Sequence, residues 1–321
     1  CICVFCSLAQ KQMMYGDTSR IGMPFSKDPH VAEFQGRYLM YYSIPPKQNG
    51  NAEAQGWGIG IAGSKNLKDW HRIGEIIPQT AYESKGLCAP GALVRNDTVH
   101  LFYQTYGNGA KDAICHAWSE DGIHFVRNAT NPIFSPEGEW NCGRAIDAEV
   151  VFLKDRYYLY YATRTPDYST QIIGVAMAPA HTDFSKQAWK SPVNHPVLVP
   201  EYPWEEKCVE GASVVQMGDE MFMFYAGAYN NRPQQIGVAK SSDGIHWTKL
   251  SNKPFLMNGD PGTWNCCESG HPHLFKTRKG KTYLFYQGND DFGKTWFLSN
   301  MEVKWKNGHP FIAHYINQKA H

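Results

Sequence analysis

Residues 145–161 read A-I-D-A-E-V-V-F-L-K-D-R-Y-Y-L-Y-Y. An apolar run, the polar turn Lys154-Asp155-Arg156 and a run of aromatic residues follow one another, and this order predicts two antiparallel strands joined by a hairpin loop. Valine, phenylalanine and tyrosine favour strands because they fit a pleated surface. The first strand begins with a carboxylate, Asp147.

This unit recurs along the chain. First strands are predicted near residues 28–35, 89–96, 146–153, 209–216 and 270–276. Second strands are predicted at 38–42, 99–103, 157–161, 221–225 and 282–286. Third strands are predicted at 58–62, 113–117, 173–177 and 236–240, and fourth strands near Trp70, Phe125 and Trp247. The period is about 60 residues, which is typical of repeat folds.

Four antiparallel strands repeated five times predict an all-β fold, a five-bladed β-propeller with four strands per blade. A large β-sandwich is the alternative, but sandwiches do not repeat one four-strand pattern so regularly. The predicted domains are a remnant of a secretory signal peptide at 1–10 and a single propeller at 11–321.

The charge balance limits the partners. Lysine and arginine number 31 against 30 aspartates and glutamates, a formal net charge of +1. This balance predicts no basic face for nucleic acid. It also predicts a neutral or weakly charged substrate.

The N-terminal residues 1–9 are apolar apart from one serine, and S-L-A-Q at 7–10 is similar to a signal-peptide cleavage site. We therefore expect an exported protein, periplasmic or extracellular. The segment is too short for a membrane span, which needs about 20 apolar residues. A buried N-terminal strand and lipidation at Cys6 are the alternatives. Export would permit disulfides among the six later cysteines, and these six include no C-x-x-C pair, which disfavours structural zinc.

The strand starts predict a shared site, because in a propeller the first strand of each blade lines the central axis. The start of each first strand should contribute to one mouth: Asp28, Ala89-Pro90, Asp147, Glu210 and His271. The ends of second strands should join them: Ser43, Gln104, Arg164, Tyr229 and Gln287 or Asn289. We predict that the substrate is bound by Gln104, Arg164, Tyr229, Gln287 and His271.

Asp28, Asp147 and Glu210 are the predicted catalytic residues, each expected at the same position of its repeat. Neighbouring like charges and burial raise the pKa of at least one carboxyl group. One group can then protonate a leaving oxygen while another deprotonates water, as glycoside hydrolysis requires.

These segments resemble glycoside hydrolase family 43, a family of five-bladed propeller glycosidases, from about residue 27 to 312. D-P-H-V matches the family's general base and implies that role for Asp28. I-D-A-E-V-V-F implies that Asp147 tunes and orients the acid, and V-E-G-A-S-V-V implies that Glu210 is the general acid.

In blade 5, S-G-H-P-H-L-F is similar to the family's G-H-x-x-x-F. The resemblance implies that His271 lies on the axis near a bound ion or water, with calcium as the candidate ion and no other cofactor required. A satisfied core histidine is the alternative. Blade 2 departs from the family, since Cys88 stands before Ala-Pro where many members have tryptophan.

The resemblance implies inverting hydrolysis that releases terminal arabinofuranose, xylose or galactose from plant or similar oligosaccharides and polysaccharides. An α-L-arabinofuranosidase-like activity is our preferred expectation. An inverting mechanism expects carboxyl groups about 6.5–9.5 Å apart.

Three alternatives remain. In an anhydro-galactosidase-type enzyme, His271 would be the acid. A non-catalytic propeller would bind glycans without turnover. A sialidase is suggested by N-D-D-F-G-K-T-W at 289–296, which is close to an Asp-box, although sialidases have six blades.

Overall fold

The computed structural model describes residues 12–47 and 56–312. Its strands form five separate antiparallel sheets, which confirms the five-bladed β-propeller. The predicted signal-peptide remnant at 1–10 lies outside the described residues. Within the described ranges, no helix is long and apolar enough to cross a membrane.

The nineteen strands found within 12–47 and 56–312 follow one another blade by blade. Blades 1 and 2 consist of β1 (Lys27–Phe34), β2 (Arg37–Ile44), β3 (Gly58–Ser64), β4 (His71–Ile76), β5 (Leu87–Arg95), β6 (Thr98–Thr105), β7 (Ile114–Ser119) and β8 (Val126–Arg127). Blades 3 and 4 consist of β9 (Ile146–Leu153), β10 (Arg156–Arg164), β11 (Gln171–Pro179), β12 (Val209–Met217), β13 (Glu220–Gly227), β14 (Gln235–Ser241) and β15 (Thr248–Lys249). Blade 5 consists of β16 (Glu268–Lys276), β17 (Thr282–Asn289), β18 (Phe297–Lys306) and β19 (His309–Ile312).

The outer strand of blade 3 is reduced to a single bridge. Met177 and Lys190 exchange two backbone hydrogen bonds, of 2.8 and 2.9 Å, at the place where the other blades have a fourth strand. The structure also has short 3-10 helices at Ala81–Glu83, Gly109–Lys111, Lys186–Ala188 and Pro203–Glu205.

Hydrophobic clusters join neighbouring blades around the ring. One cluster joins blade 5 to blade 1, where Phe285 of β17 packs with Tyr42 of β2. The N-terminal segment supports the same closure, because Tyr15 exchanges two backbone hydrogen bonds with Leu298 of β18. The six cysteines within the described residues are all free.

The second strand of each blade has a buried tyrosine near its end, and in three blades a glycine of the third strand makes room for it. A Cβ atom at Gly60 of β3 would overlap with the ring of Tyr42, and one at Gly237 of β14 would overlap with Tyr225. In blades 1, 3 and 4 this glycine permits close packing of the two middle strands, whereas blades 2 and 5 have Cys115 and Ser299 at the same place.

Each first strand contains a bulge near its start, and the first unpaired residue has a left-handed backbone. The residues concerned and their φ angles are Asp28 (52°), Ala89 (47°), Asp147 (54°), Gly211 (56°) and His271 (42°). Left-handed backbone is unfavourable for residues other than glycine, and such strain is concentrated at functional sites.

The bulges correct one prediction. Asp28 and Asp147 do occupy the same position of their blades, but the equivalent residue of blade 4 is Gly211. Glu210 lies one residue earlier, where it pairs with Ala226, as Lys27 pairs with Ser43 in blade 1. The expectation that all three acids share one repeat position was therefore wrong for Glu210.

Candidate active site

The mouth of the propeller holds a cavity of about 200 Å³. Asp28, Asp147, Glu210 and His271 line it together, although they come from four different blades. Three carboxyl groups and an imidazole therefore face one small volume.

Asp28 is buried and is held by two neighbours. Its backbone N–H donates to Oε1 of Gln287 (2.8 Å), and its Oδ1 lies 3.3 Å from Nδ1 of His271. The imidazole thus lies beside the carboxylate that the resemblance assigns as the base.

Asp147 is also buried, and burial is the main cause that raises its pKa to about 7. The charges of Glu210 and Asp28 raise it further, whereas His271 and Arg144 lower it. Because its pKa is near 7, Asp147 retains a proton at pH values where an ordinary aspartate is ionised.

Glu210 is half-buried and accepts hydrogen bonds at both carboxylate oxygens. Oε2 accepts from the side-chain amide of Gln171, and Oε1 accepts from that of Gln234 (2.7 Å). Arg164 in turn donates from Nε to Oε1 of Gln171 (3.1 Å). Two amide side chains from β11 and from the segment before β14 therefore fix the orientation of the acid.

The left-handed residues are held by side chains from the preceding blade. Ser43 accepts the N–H of Ala89, Gln104 accepts that of Asp147, and Gln287 accepts that of Asp28, each at 2.8 Å. Ser43, Gln104 and Gln287 occupy equivalent positions, since each pairs with the residue just before the bulge of its own blade. We call these three contacts the inter-blade clamps.

The clamps change the interpretation of two predicted substrate ligands. Gln287 is fully buried, and its Nε2 donates to Glu268 (2.7 Å), so both ends of its amide contact protein. Gln104 does line the cavity, but it is only 3 % exposed and its oxygen accepts from Asp147. We therefore interpret both glutamines as residues that position the carboxylates.

Arg164 and Tyr229 line the cavity, as does His271. The guanidinium of Arg164 lies 4.9 Å from the ring centre of Tyr168 and 5.3 Å from that of Tyr229. Asn289 is buried, and its amide donates to Asn231.

Several lining residues were missed from the sequence: Lys27, Trp57, Tyr106, Arg144 and Gln171. Trp57 directly precedes β3. Lys27 directly precedes Asp28 and could have been found from that adjacency. The other three follow no repeated pattern.

A second polar group lies deeper on the axis. His30 donates from Nε2 to Glu149 (2.9 Å), and the rings of His30 and His273 are 3.6 Å apart. Among the described residues these three side chains, without His271, form the group whose spacing could hold a metal ion.

The axial group does not fit the calcium ion expected from the resemblance. Calcium prefers oxygen ligands, and here two of three donors are imidazoles. Nδ1 of His30 accepts a hydrogen bond from the backbone N–H of Ala92, with 3.1 Å between the two nitrogens. The ring proton of His30 is therefore on Nε2, which donates to Glu149. We assign no catalytic step to an axial ion.

Comparison with known proteins identifies the family. The sequence matches the family described as Glycosyl hydrolases family 43 over residues 21–310. The chain belongs to this family. Family 43 members are glycosidases, and the five blades found here differ from the six expected of a sialidase.

Solved structures share the fold of this family 43 chain. An endo-1,4-β-xylanase from Bacteroides thetaiotaomicron VPI-5482 superimposes with a TM-score of 0.69 at 21% identity, covering 90% of this chain and 94% of that one. An α-L-arabinofuranosidase from Lactobacillus brevis also gives a TM-score of 0.69, at 16% identity and coverages of 92% and 95%. At these identities the likeness concerns the fold alone.

A curated protein matches this chain over only part of its sequence. The β-1,2-mannobiose phosphorylase of Thermoanaerobacter sp. (strain X514) is 27% identical over 149 residues, which are 40% of this chain. The match spans about half the length of that relative, 47%.

Proposed function

We propose that this family 43 protein is an inverting glycoside hydrolase that releases terminal sugars from oligosaccharides or polysaccharides. The observation that carries the proposal is the meeting of Asp28, Asp147 and Glu210 in one cavity. A cavity of about 200 Å³ is below the 300–1,000 Å³ typical of sites for drug-sized ligands, which favours a single terminal sugar residue.

The proposed roles follow from the contacts of each acid. Asp28 deprotonates a water on one face of the sugar, and His271 beside it helps to orient the base. Glu210, oriented by Gln171 and Gln234, protonates the departing oxygen. Asp147, which retains a proton up to about pH 7, lies beside Glu210 and orients and tunes it.

The substrate class is an arabinofuranoside, xyloside or galactoside, with α-L-arabinofuranosides preferred. The named activities of the two structural relatives, on xylan and on arabinofuranosides, are compatible with this range. Export to the periplasm or exterior is likewise proposed, on the N-terminal sequence alone.

The test is hydrolysis of a panel of 4-nitrophenyl glycosides by the wild type and by Asp28→Asn and Glu210→Gln. General acid and base groups contribute about 10²–10⁴-fold each, so each variant should lose activity by that order. The loss in Glu210→Gln should grow as the leaving group becomes more basic. NMR of the reaction mixture should show that the first sugar product has the anomeric configuration opposite to that of the substrate.

The matched control is Asp219→Asn, which removes an exposed carboxylate from the hairpin turn of blade 4. Near-normal turnover by Asp28→Asn or Glu210→Gln would contradict the role proposed for the substituted residue. Turnover of agar-derived oligosaccharides would instead favour the anhydro-galactosidase alternative. The contact of His271 with Asp28 argues against it, since it puts the imidazole beside the base.

A further inference from the structure

Among the described residues, three permanent cations line the cavity, Lys27, Arg144 and Arg164. Two of them already contact other protein groups. Lys27 donates from Nζ to Asn230 (2.7 Å) and lies 4.5 Å from the ring centre of Trp296. Arg164 donates to Gln171 and to the carbonyl oxygen of Tyr168. Both cations therefore support the walls of the site.

Arg144 differs from these two. Its side chain is 13% exposed, and its Nε is buried without a hydrogen-bond partner among the described residues. Its ion-pair partner is Asp112, at 3.7 Å from Nε, which is too long for a hydrogen bond. Asp112 already accepts from the N–H of Asn108 (3.0 Å).

A buried guanidinium with unused donors is costly unless an acceptor reaches it. Its planar fork fits a carboxylate or phosphate through two parallel hydrogen bonds. Arg144 acts electrostatically on Asp147 and Tyr229, and Tyr229 is also affected by Glu210. Arg144 also acts on Tyr106, which is affected by Asp28, so its charge reaches both sides of the cavity.

We propose that Arg144 binds the carboxylate of an acidic sugar in this cavity. The inference rests on the proposed hydrolase function and adds that the substrate contains a uronic acid. The overall charge of +1 predicted a neutral or weakly charged substrate. Arg144 nevertheless favours a negative charge on this one sugar of the substrate.

Inorganic phosphate offers the same oxyanion chemistry and must be distinguished from a carboxylate. Asp28 argues against phosphate as the attacking group, because hydrolysis needs a base for water whereas phosphate is itself a nucleophile. The carboxylates of the cavity would also repel a phosphate dianion more strongly than a uronate, which carries a single negative charge.

The test is calorimetric titration with D-glucuronate and D-galacturonate, with D-glucose and D-galactose as neutral partners and with inorganic phosphate. We expect at least one uronate to bind 10-fold or more tightly than its neutral partner, and less tightly as salt rises. Arg144→Met should remove this preference. Arg144→Lys should restore part of it, because it keeps the charge and loses the fork.

The control is Arg156→Met, which removes an exposed arginine at the start of β10 and should leave uronate binding unchanged. Melting temperatures of all variants report folding. Equal affinity for acid and neutral sugars, or uronate binding unaffected by Arg144→Met, would overturn the proposal. Arg144-dependent binding of phosphate without uronate would also overturn it. Because binding needs no turnover, failure here is distinct from failure of the hydrolase proposal.

Discussion

Asp147 combines two features that make a single residue decisive: a left-handed backbone and a buried carboxyl group beside two other acids. Burial and the charge of Glu210 raise its pKa to about 7. Asp147 therefore keeps a proton near neutral pH beside Glu210, the proposed general acid.

We predict that Asp147→Asn shifts the pH–rate profile. In the wild type Asp147 holds its proton up to about pH 7, so activity should fall as the pH rises above that value. Asparagine removes the group that retains the proton, so this descending limb should move to lower pH. The pH dependence of kcat/KM measures it. A descending limb at the wild-type pH would contradict the assignment of Asp147.

At the scale of strands, the bulges of β1, β5, β9, β12 and β16 aim the reactive groups into the mouth. Each clamp satisfies a backbone N–H that the bulge removes from the sheet. An unpaired buried N–H costs about 1–3 kcal/mol, so the clamps also stabilise the bulges. The consequence differs between blades, because the clamped residue is a proposed catalytic aspartate in blades 1 and 3 and is Ala89 in blade 2.

Gln287→Met should therefore lower both stability and kcat. Methionine keeps the volume but cannot accept from Asp28 or donate to Glu268. We expect a loss of about 1–3 kcal/mol in the free energy of unfolding. We also expect at least a 10-fold loss of kcat, since a misplaced base is costly.

Ser43→Ala is the matched control for this prediction. It removes the equivalent clamp from Ala89, which bears no titratable group. Denaturant unfolding should show a similar loss of stability in both variants, while kcat should fall much less in Ser43→Ala. Equal losses of kcat would reduce Gln287 to a purely structural residue.

For the whole molecule, several buried histidines make the propeller sensitive to acid. Burial lowers the pKa of His30 and His116 to about 3 and that of His100 to about 4. His100 and His116 contact each other through ring nitrogens 3.0 Å apart, away from the active site in blade 2. These groups are neutral in the folded protein.

Their effect on stability has a definite sign. In the unfolded chain these histidines take up protons below about pH 6.5, whereas in the folded chain they do so only near pH 3–4. Their contribution is therefore complete above about pH 6.5 and is lost as the pH falls toward 4. Each unit of pKa difference corresponds to about 1.4 kcal/mol, so the combined loss is several kcal/mol.

We predict that the melting temperature falls between pH 7 and pH 5 and that His100→Gln reduces this fall. The variant removes one of the groups that must be charged on acid unfolding. His71→Gln changes an exposed histidine and is the control. Melting curves of wild type and His100→Gln that decline in parallel between these pH values would contradict the prediction.

The sequence alone was sufficient for the architecture. Aromatic pairs at 38–42, 99–103, 157–161, 221–225 and 282–286 mark the second strands, and the polar turns before them set each hairpin. These signals are local, because hydrophobic alternation and turn chemistry act within a few residues. Their repetition in turn specified the five blades and brought Asp28, Asp147 and Glu210 toward one mouth.

The tertiary structure decided the details of the site. The offset of Glu210 depends on where the bulge of β12 lies, and the roles of Gln104 and Gln287 depend on contacts between blades. Arg144 joins the cavity from an irregular segment between blades 2 and 3. Such contacts link residues far apart in the chain, and a repeating local pattern carries no information about which partner a neighbouring blade will supply.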